Sequence, residues 1–373
     1  MPEARPPEQD TERISSDLYK HSLVLPDGRP LYLYLDSDAL LPPVPRTGLR
    51  PAPNPHLRYD PLRGDWVMVA AERQDRTFKP PAETCPLCPT REGRPPTEIP
   101  FPDFSVAVFE NRFPSLAPST APPAGRTPSL AAPSAGTCEV IVYSPLHEQS
   151  TSTLGPRKLA DVVRVWRERT LSLGRRNDVR YLLIFENRGE DVGVTLHHPH
   201  GQIYAYPFVP AFPERERAQV AAAGDLLGDL LAFDLQHRER LMFEDESWVT
   251  LVPFWARYPF ELYVLPRRMH PNLASLSADE QTALGATLDR VVKAYDRLFD
   301  RPMPYVMAVQ QAPLNAEGWQ NYRMRVEFQP RLRAPGKLKY LAGTETAAGA
   351  FAVDALAEEY AARLRDAVGR AAP

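Results

Sequence analysis

Cysteine is scarce in this chain: three among 373 residues, Cys85, Cys88 and Cys138. So few thiols exclude a disulfide framework and favour a reducing compartment. Long apolar runs are missing too, none approaching the roughly 20 residues that a spanning helix needs. The opening residues, Met1 to Asp10, lack the apolar core of a secretory signal. Both absences predict a cytoplasmic protein. An excess of positive charge is also lacking. The formal net charge is −3, so no basic field draws nucleic acid or an anionic membrane. An anionic substrate must then be held by local arginine, histidine and backbone groups.

What the chain does have is length for two domains and 43% hydrophobic residues to fill their cores. Its 42 prolines concentrate in the first 135 residues. Residues 1–13 are polar and unpatterned and read as disordered. Residues 20–36 read as a hairpin around Pro26-Asp27-Gly28, and Leu41 to Pro55 as a connector. Arg58 to Val69 is a turn followed by a strand, and Ala107 to Pro114 a strand ending in a turn. Residues 115–136 form a Pro/Ala/Ser-rich mobile loop. Leu159 to Leu173 carries helical spacing between Pro156 and Gly174. Tyr181 to Phe185 reads as a buried strand, and Glu186 to Gly189 turns out of it. Glu214 to Leu241 reads as one long helix. Ser277 and Glu280 form a capping box opening a helix to Phe299, and Asp354 to Arg370 is a terminal amphipathic helix.

Three of the eight histidines fall within four positions, in Leu196-His197-His198-Pro199-His200-Gly201-Gln202. In extended chain, alternate side chains share a face, which groups His198, His200 and Gln202. Pro199 fixes φ between the outer histidines, and Gly201 lets a bulky ligand approach the backbone. An imidazole nucleophile beside an amide that can hold phosphoryl oxygens suits attack on phosphorus.

Cys85-Pro86-Leu87-Cys88 has the spacing of half a tetrahedral metal site, though a redox pair shares it. No βαβ context of a thioredoxin-like kind surrounds it, and Cys138 reads as a small buried residue. From about Trp248 the chain restates its first half at an offset of about 123 residues. Glu261 to His270 echoes Glu139 to His147, and Asn321 to Pro330 echoes His198 to Pro207. The repeat's line carries Asn321, Arg323 and Arg325 with no histidine, so one half alone can run histidine chemistry.

His198-Pro199-His200-Gly201-Gln202 resembles the signature of the galactose-1-phosphate uridylyltransferases, the transferase branch of the histidine-triad superfamily, over about Arg58 to Arg365. The resemblance implies an α+β fold of two related histidine-triad-like halves, each an antiparallel sheet packed by helices. We divide the chain into an N-terminal extension (1–45), a first half with the metal site and nucleophile (46–212) and a second half without catalytic histidines (213–373). By resemblance His147 and His198 join Cys85 and Cys88 in a closed, structural zinc site that tethers the strand carrying His200. The same likeness places Arg73 and Arg76 on the phosphate side, where an arginine fork matches phosphate oxygens. It gives Asn111 and Phe113 to the base and ribose, Asn187, Gly193 and Thr195 to the phosphate pocket, and Lys339 and Glu345 to the hexose phosphate.

The chain departs from the family at three places. Arg112 stands where many members are acidic. Phe351 stands near a glutamine that some use for the hexose phosphate. Gln310, Arg325 and Glu327 replace the three histidines that join the equivalent of Glu216 at iron in some relatives, so no iron is expected. The implied enzyme moves UMP from UDP-glucose to galactose 1-phosphate by a ping-pong route through His200, with Gln202 holding the transferring group, and works as a homodimer. The alternatives are an adenylyl-transferring ADP-sugar phosphorylase of the same family and a zinc-stabilised nucleotide-binding protein without turnover.

Overall fold

The computed structural model describes residues 10–45, 48, 53–75, 79–118 and 129–369. The chain folds into two compact units. Residues 1–150, 164–182 and 196–210 make the first, and 151–163, 183–195 and 211–373 the second.

The first unit is built on β1 (Asp10–Ser15), β2 (Leu18–Val24), β3 (Pro30–Leu35), β4 (His56–Asp60), β5 (Asp65–Val69), β6 (Val106–Glu110), β7 (Ala131–Pro133) and β8 (Thr137–Val142). Helix α1 (Pro156–Gly174) and strand β9 (Tyr181–Arg188) are each divided between the two units, and β10 (His200–Tyr206) completes the first. Its main sheet runs β1-β2-β3-β6-β8-β10, antiparallel throughout. A smaller sheet pairs β4 with β5 and β7. The hairpin expected around Pro26-Asp27-Gly28 is there, closed by the Gly28 amide donating to the Leu25 carbonyl at 2.9 Å.

Every residue of β8 is buried, so this strand lies inside the sheet with both faces covered. Its charged member, Glu139, is 2% exposed and pairs in a bidentate way with Arg169 of α1 at 2.7 and 2.9 Å. Next to it Glu168 accepts from Lys20 of β2 at 2.6 Å. These pairs fix the helix against the strands that carry the site.

The second unit contains α2 (Ala211–Ala223), α3 (Leu226–His237), β11 (Leu241–Glu244), β12 (Trp248–Leu251), β13 (Leu262–Pro266), α4 (Ala278–Leu298), β14 (Tyr305–Gln310), β15 (Arg325–Pro330) and α5 (Ala357–Gly369). Its strands run β9-β14-β15-β13-β12-β11, again antiparallel. The expected capping box opens α4: Ser277 Oγ accepts from the Glu280 amide, and the Glu280 carboxylate accepts from the Ser277 amide. Leu284, Leu288, Val291 and Tyr295 then line its buried face at helical spacing. Each such fully buried aliphatic side chain contributes about 1.5–3 kcal/mol. The repeat is structural as well: β8 lies beside β10 in one unit and β13 beside β15 in the other. The α+β expectation of two related halves, each an antiparallel sheet packed by helices, holds.

Several local expectations are corrected. Residues 10–13, read as disordered, belong to β1, where pairing with β2 outweighs their polar composition; residues 1–9 lie outside the described residues. Ala131–Pro133 of the expected loop pairs with β4, while 119–128 fall outside the described residues. The strand at Tyr181 extends through Arg188, so Asn187 is a strand residue and not part of a turn. The long helix is two, broken at Gly224 with φ of 85°, where Asp225 caps α3 by accepting from the Gly228 amide at 2.9 Å. Among the described residues no helix is long and apolar enough to cross a membrane.

Because Arg169 and Glu139 are buried together, removing one strands the other's charge. Arg169→Leu is expected to cost about 3–5 kcal/mol, and Arg169→Leu with Glu139→Leu to recover most of it. Chemical denaturation of the single and double variants measures this, and additive losses would contradict the pairing.

Candidate active site

Strand β10 alternates in burial from its first residue: His200 and Gln202 are half-buried, while Gly201 and Ile203 are buried. The strand period therefore places His200 and Gln202 on one face, as the sequence predicts. Pairing with β8 sets the register, His200 opposite Val142 and Gln202 opposite Val140. The Tyr143 amide extends the ladder by donating to the Pro199 carbonyl at 3.1 Å.

His198 lies just before the strand and is 1% exposed. Its Nε2 is 2.7 Å from the Ser144 carbonyl. A carbonyl only accepts, so Nε2 carries the proton and Nδ1 keeps its lone pair. That Nδ1 is 3.5 Å from Cys88 Sγ, and His147 Nδ1 is 3.4 Å from the same sulfur. With Cys85 the donor atoms of all four residues fall within 4.8 Å of one another. Burial, and then the neighbouring Cys85, push the Cys88 thiol up to about 12. Burial holds His198 down at about 4, hence neutral. Two thiols and two imidazoles gathered this closely form a group able to hold a metal ion. The sequence-expected set of Cys85, Cys88, His147 and His198 is thus brought together.

The backbone of His198 has a second task. Its carbonyl is 2.8 Å from His200 Nδ1. The same reasoning puts a proton on Nδ1 of His200 and leaves Nε2 unprotonated, and burial lowers the imidazole's pKa. A neutral imidazole with a free Nε2 is a nucleophile.

Arg73 donates to the Phe113 carbonyl and to the Tyr204 hydroxyl, each at 3.1 Å. The Asn111 side chain accepts from the Phe113 amide at 2.8 Å. Arg73, Asn111 and Phe113 are therefore neighbours in the first unit, on a cluster that Tyr204 anchors. Arg76 lies outside the described residues. Arg112, the departure from the family pattern, is largely exposed and reaches Glu98 at 3.7 Å. Asn187, Gly193 and Thr195 belong to the second unit, Asn187 in β9 and Gly193 closing a short helical turn. Lys339 and Glu345, also of the second unit, are each other's partners at 2.6 Å, and this pairing holds the Glu345 carboxyl down at about 2.

Sequence reasoning missed two residues. Ser144 acts through its backbone carbonyl, which no side-chain pattern reveals. Tyr204 was legible, since it stands two positions beyond Gln202 on the same face of β10.

Comparison with known proteins shows the family. Residues 49–210 match the family described as Galactose-1-phosphate uridyl transferase, N-terminal domain, and residues 212–370 its C-terminal domain. The galactose-1-phosphate uridylyltransferase of Thermotoga maritima is 35% identical over 326 residues, covering 83% of this chain and 98% of that protein. That of Streptomyces lividans is 36% identical over 304 residues, covering 79% and 81%. A solved uridylyltransferase structure superposes with a TM-score of 0.72 at 29% identity, covering 84% of this chain and 98% of that one.

The four-donor geometry gives a direct expectation. Cys88→Ala removes the sulfur that lies 3.4 and 3.5 Å from His147 and His198 and should reduce bound metal, measured by elemental analysis after dialysis, from about one ion per chain toward none. Cys138→Ala should leave it unchanged. Full retention by Cys88→Ala would contradict the grouping.

Proposed function

The chain belongs to the galactose-1-phosphate uridylyltransferase family, and from that premise we propose that it moves UMP from UDP-glucose to galactose 1-phosphate through a uridylyl-His200 intermediate. The observation that carries the reading is the unprotonated Nε2 of His200 beside Gln202 on one strand face.

In the first half-reaction His200 Nε2 attacks the α-phosphorus. The new N–P bond replaces the bridging P–O bond, and glucose 1-phosphate leaves with the bond's electron pair. The imidazole becomes cationic as the bond forms, and the His198 carbonyl that accepts from Nδ1–H stabilises that charge. Gln202 donates its amide to the non-bridging oxygens. In the second half-reaction a phosphate oxygen of galactose 1-phosphate attacks the same phosphorus, the N–P bond breaks, and UDP-galactose leaves with His200 restored. Gln202 is a neutral amide that cannot act as a general acid or base toward water, which favours transfer over hydrolysis.

Around this centre we assign Arg73 and Arg76 to the phosphates and Asn111 and Phe113 to the nucleoside. Asn187, Gly193 and Thr195 serve the phosphate pocket, and Lys339 and Glu345 the hexose phosphate. We assign zinc to Cys85, Cys88, His147 and His198. The nearest donor separations, 3.4 and 3.5 Å, match the edges of about 3.4–3.8 Å of a tetrahedron with Zn–N and Zn–S bonds of about 2.0–2.3 Å. All four positions are filled by protein, so the ion has a structural part: it fixes the chain at His198 and leaves the chemistry to His200. We place the boundary between the halves near residue 212 and the protein in the cytoplasm as a homodimer.

Intact mass after mixing with UDP-glucose tests the mechanism. A gain of one uridylyl group, absent from His200→Asn, is expected. No adduct, or one that survives the substitution, would overturn it. An adduct from ADP-glucose and not from UDP-glucose would move the assignment to adenylyl transfer. Tyr204→Phe should raise KM for UDP-glucose by about 3- to 10-fold with little change in kcat, because it frees Arg73 from a charge-assisted bond worth about 1–2 kcal/mol. An unchanged KM would remove Arg73 and Tyr204 from substrate binding.

A further inference from the structure

The second unit encloses a cavity of about 790 Å³, within the range of small-molecule sites. Helices α2 and α3 supply one wall. The only buried residue of α2 is Pro213, so this helix rests on few apolar contacts. What holds it is Glu216, whose carboxylate accepts from Arg325 at 2.6 Å and from the Tyr322 hydroxyl at 2.7 Å.

Charge in the cavity is divided between a neutralised floor and a cationic rim. Arg325, 4% exposed, also donates to Glu327 at 2.7 Å, so one guanidinium spans two carboxylates. Arg323 is paired with Asp225. Glu261 accepts from the Tyr258 amide at 3.0 Å, and burial with Glu327 nearby pushes its carboxyl up to about 7, which leaves it partly uncharged. At the rim Arg215 lies 5.5 Å over the Phe212 ring and Arg257 5.3 Å over the Phe351 ring. Among the described residues neither makes a salt bridge to a carboxylate. The walls between are aromatic, and Phe212, Phe233 and Trp255 remain 58%, 48% and 43% exposed.

Large rings left open to water beside two guanidinium groups that form no salt bridge among the described residues, Arg257 feeling only the nearby Glu261, make a recognisable combination. The rings take a flat apolar body, and the guanidinium forks take phosphate oxygens. Bases of any identity can stack on such rings, because each presents a π-face. We propose that this cavity is a second, non-catalytic site in the chain, taking a mononucleotide whose base stacks on the aromatic wall and whose phosphate meets Arg215 and Arg257. The proposal is independent of the chemistry at His200, since none of the lining residues is one assigned above to that reaction.

Titration of the full-length protein with UMP, followed by tryptophan fluorescence, tests it. Saturable quenching is expected, lost in Trp255→Phe, which removes the reporter but keeps a ring. Equilibrium dialysis should show a second UMP per chain beyond the one bound near His200, kept in Trp255→Phe and lost in the double arginine variant. Arg215→Ala with Arg257→Ala should weaken the quenching by at least about 10-fold, while His200→Asn should leave it unchanged. Inorganic phosphate at the same concentration should compete poorly, because it lacks the ring. Absence of saturable quenching, its loss in His200→Asn, or full binding by the double arginine variant would each overturn the proposal.

Discussion

His198 carries two constraints at once, and the site depends on their being in one residue. Its side chain points into the Cys85, Cys88 and His147 group, held by the bond from Nε2 to the Ser144 carbonyl. Its backbone carbonyl accepts from His200 and thereby decides which nitrogen of that ring is free. The metal-binding group and the reacting imidazole are two residues apart, with Pro199 between them. A shift in one moves the other. A metal held by these four residues would in this way act on a reaction it does not touch.

Everything beneath serves that arrangement. Strand β8 is buried along its length and sets the register of β10. The pairing of Glu139 with Arg169 fixes α1 against β8 through a buried charge that tolerates no loss of partner. The half that lacks the histidine motif keeps the same strand pairing but spends its polar residues differently. Arg323 and Arg325, at the repeated positions, are committed to Asp225, Glu216 and Glu327. Duplication preserved the scaffold, and the chemistry diverged upon it.

How much was legible in the sequence follows from the range of the interactions. The hairpin at Gly28, the capping box at Ser277 and the alternation through His200 and Gln202 are local patterns, and the structure contains all three. The resemblance supplied His147 and His198 as partners for Cys85 and Cys88, a meeting of residues far apart in sequence that spacing alone left open. Errors arose where tertiary context outweighed composition. Residues 10–13 are polar yet paired to a sheet, and β9 continues through Asn187 because β14 pairs with it up to Arg188. The helix after Ala211 breaks where Gly224 adopts a positive φ beside a capping aspartate. The Ser144 carbonyl left no signal in the sequence, since any residue offers one.

The central claim is the protonation pattern that His198 imposes. It is read most directly from two-bond proton–nitrogen correlations on the protein labelled with ¹⁵N-histidine. His200 should appear as the neutral Nδ1–H tautomer and His198 as Nε2–H at neutral pH. A protonated His200, or one carrying its proton on Nε2, would contradict the account.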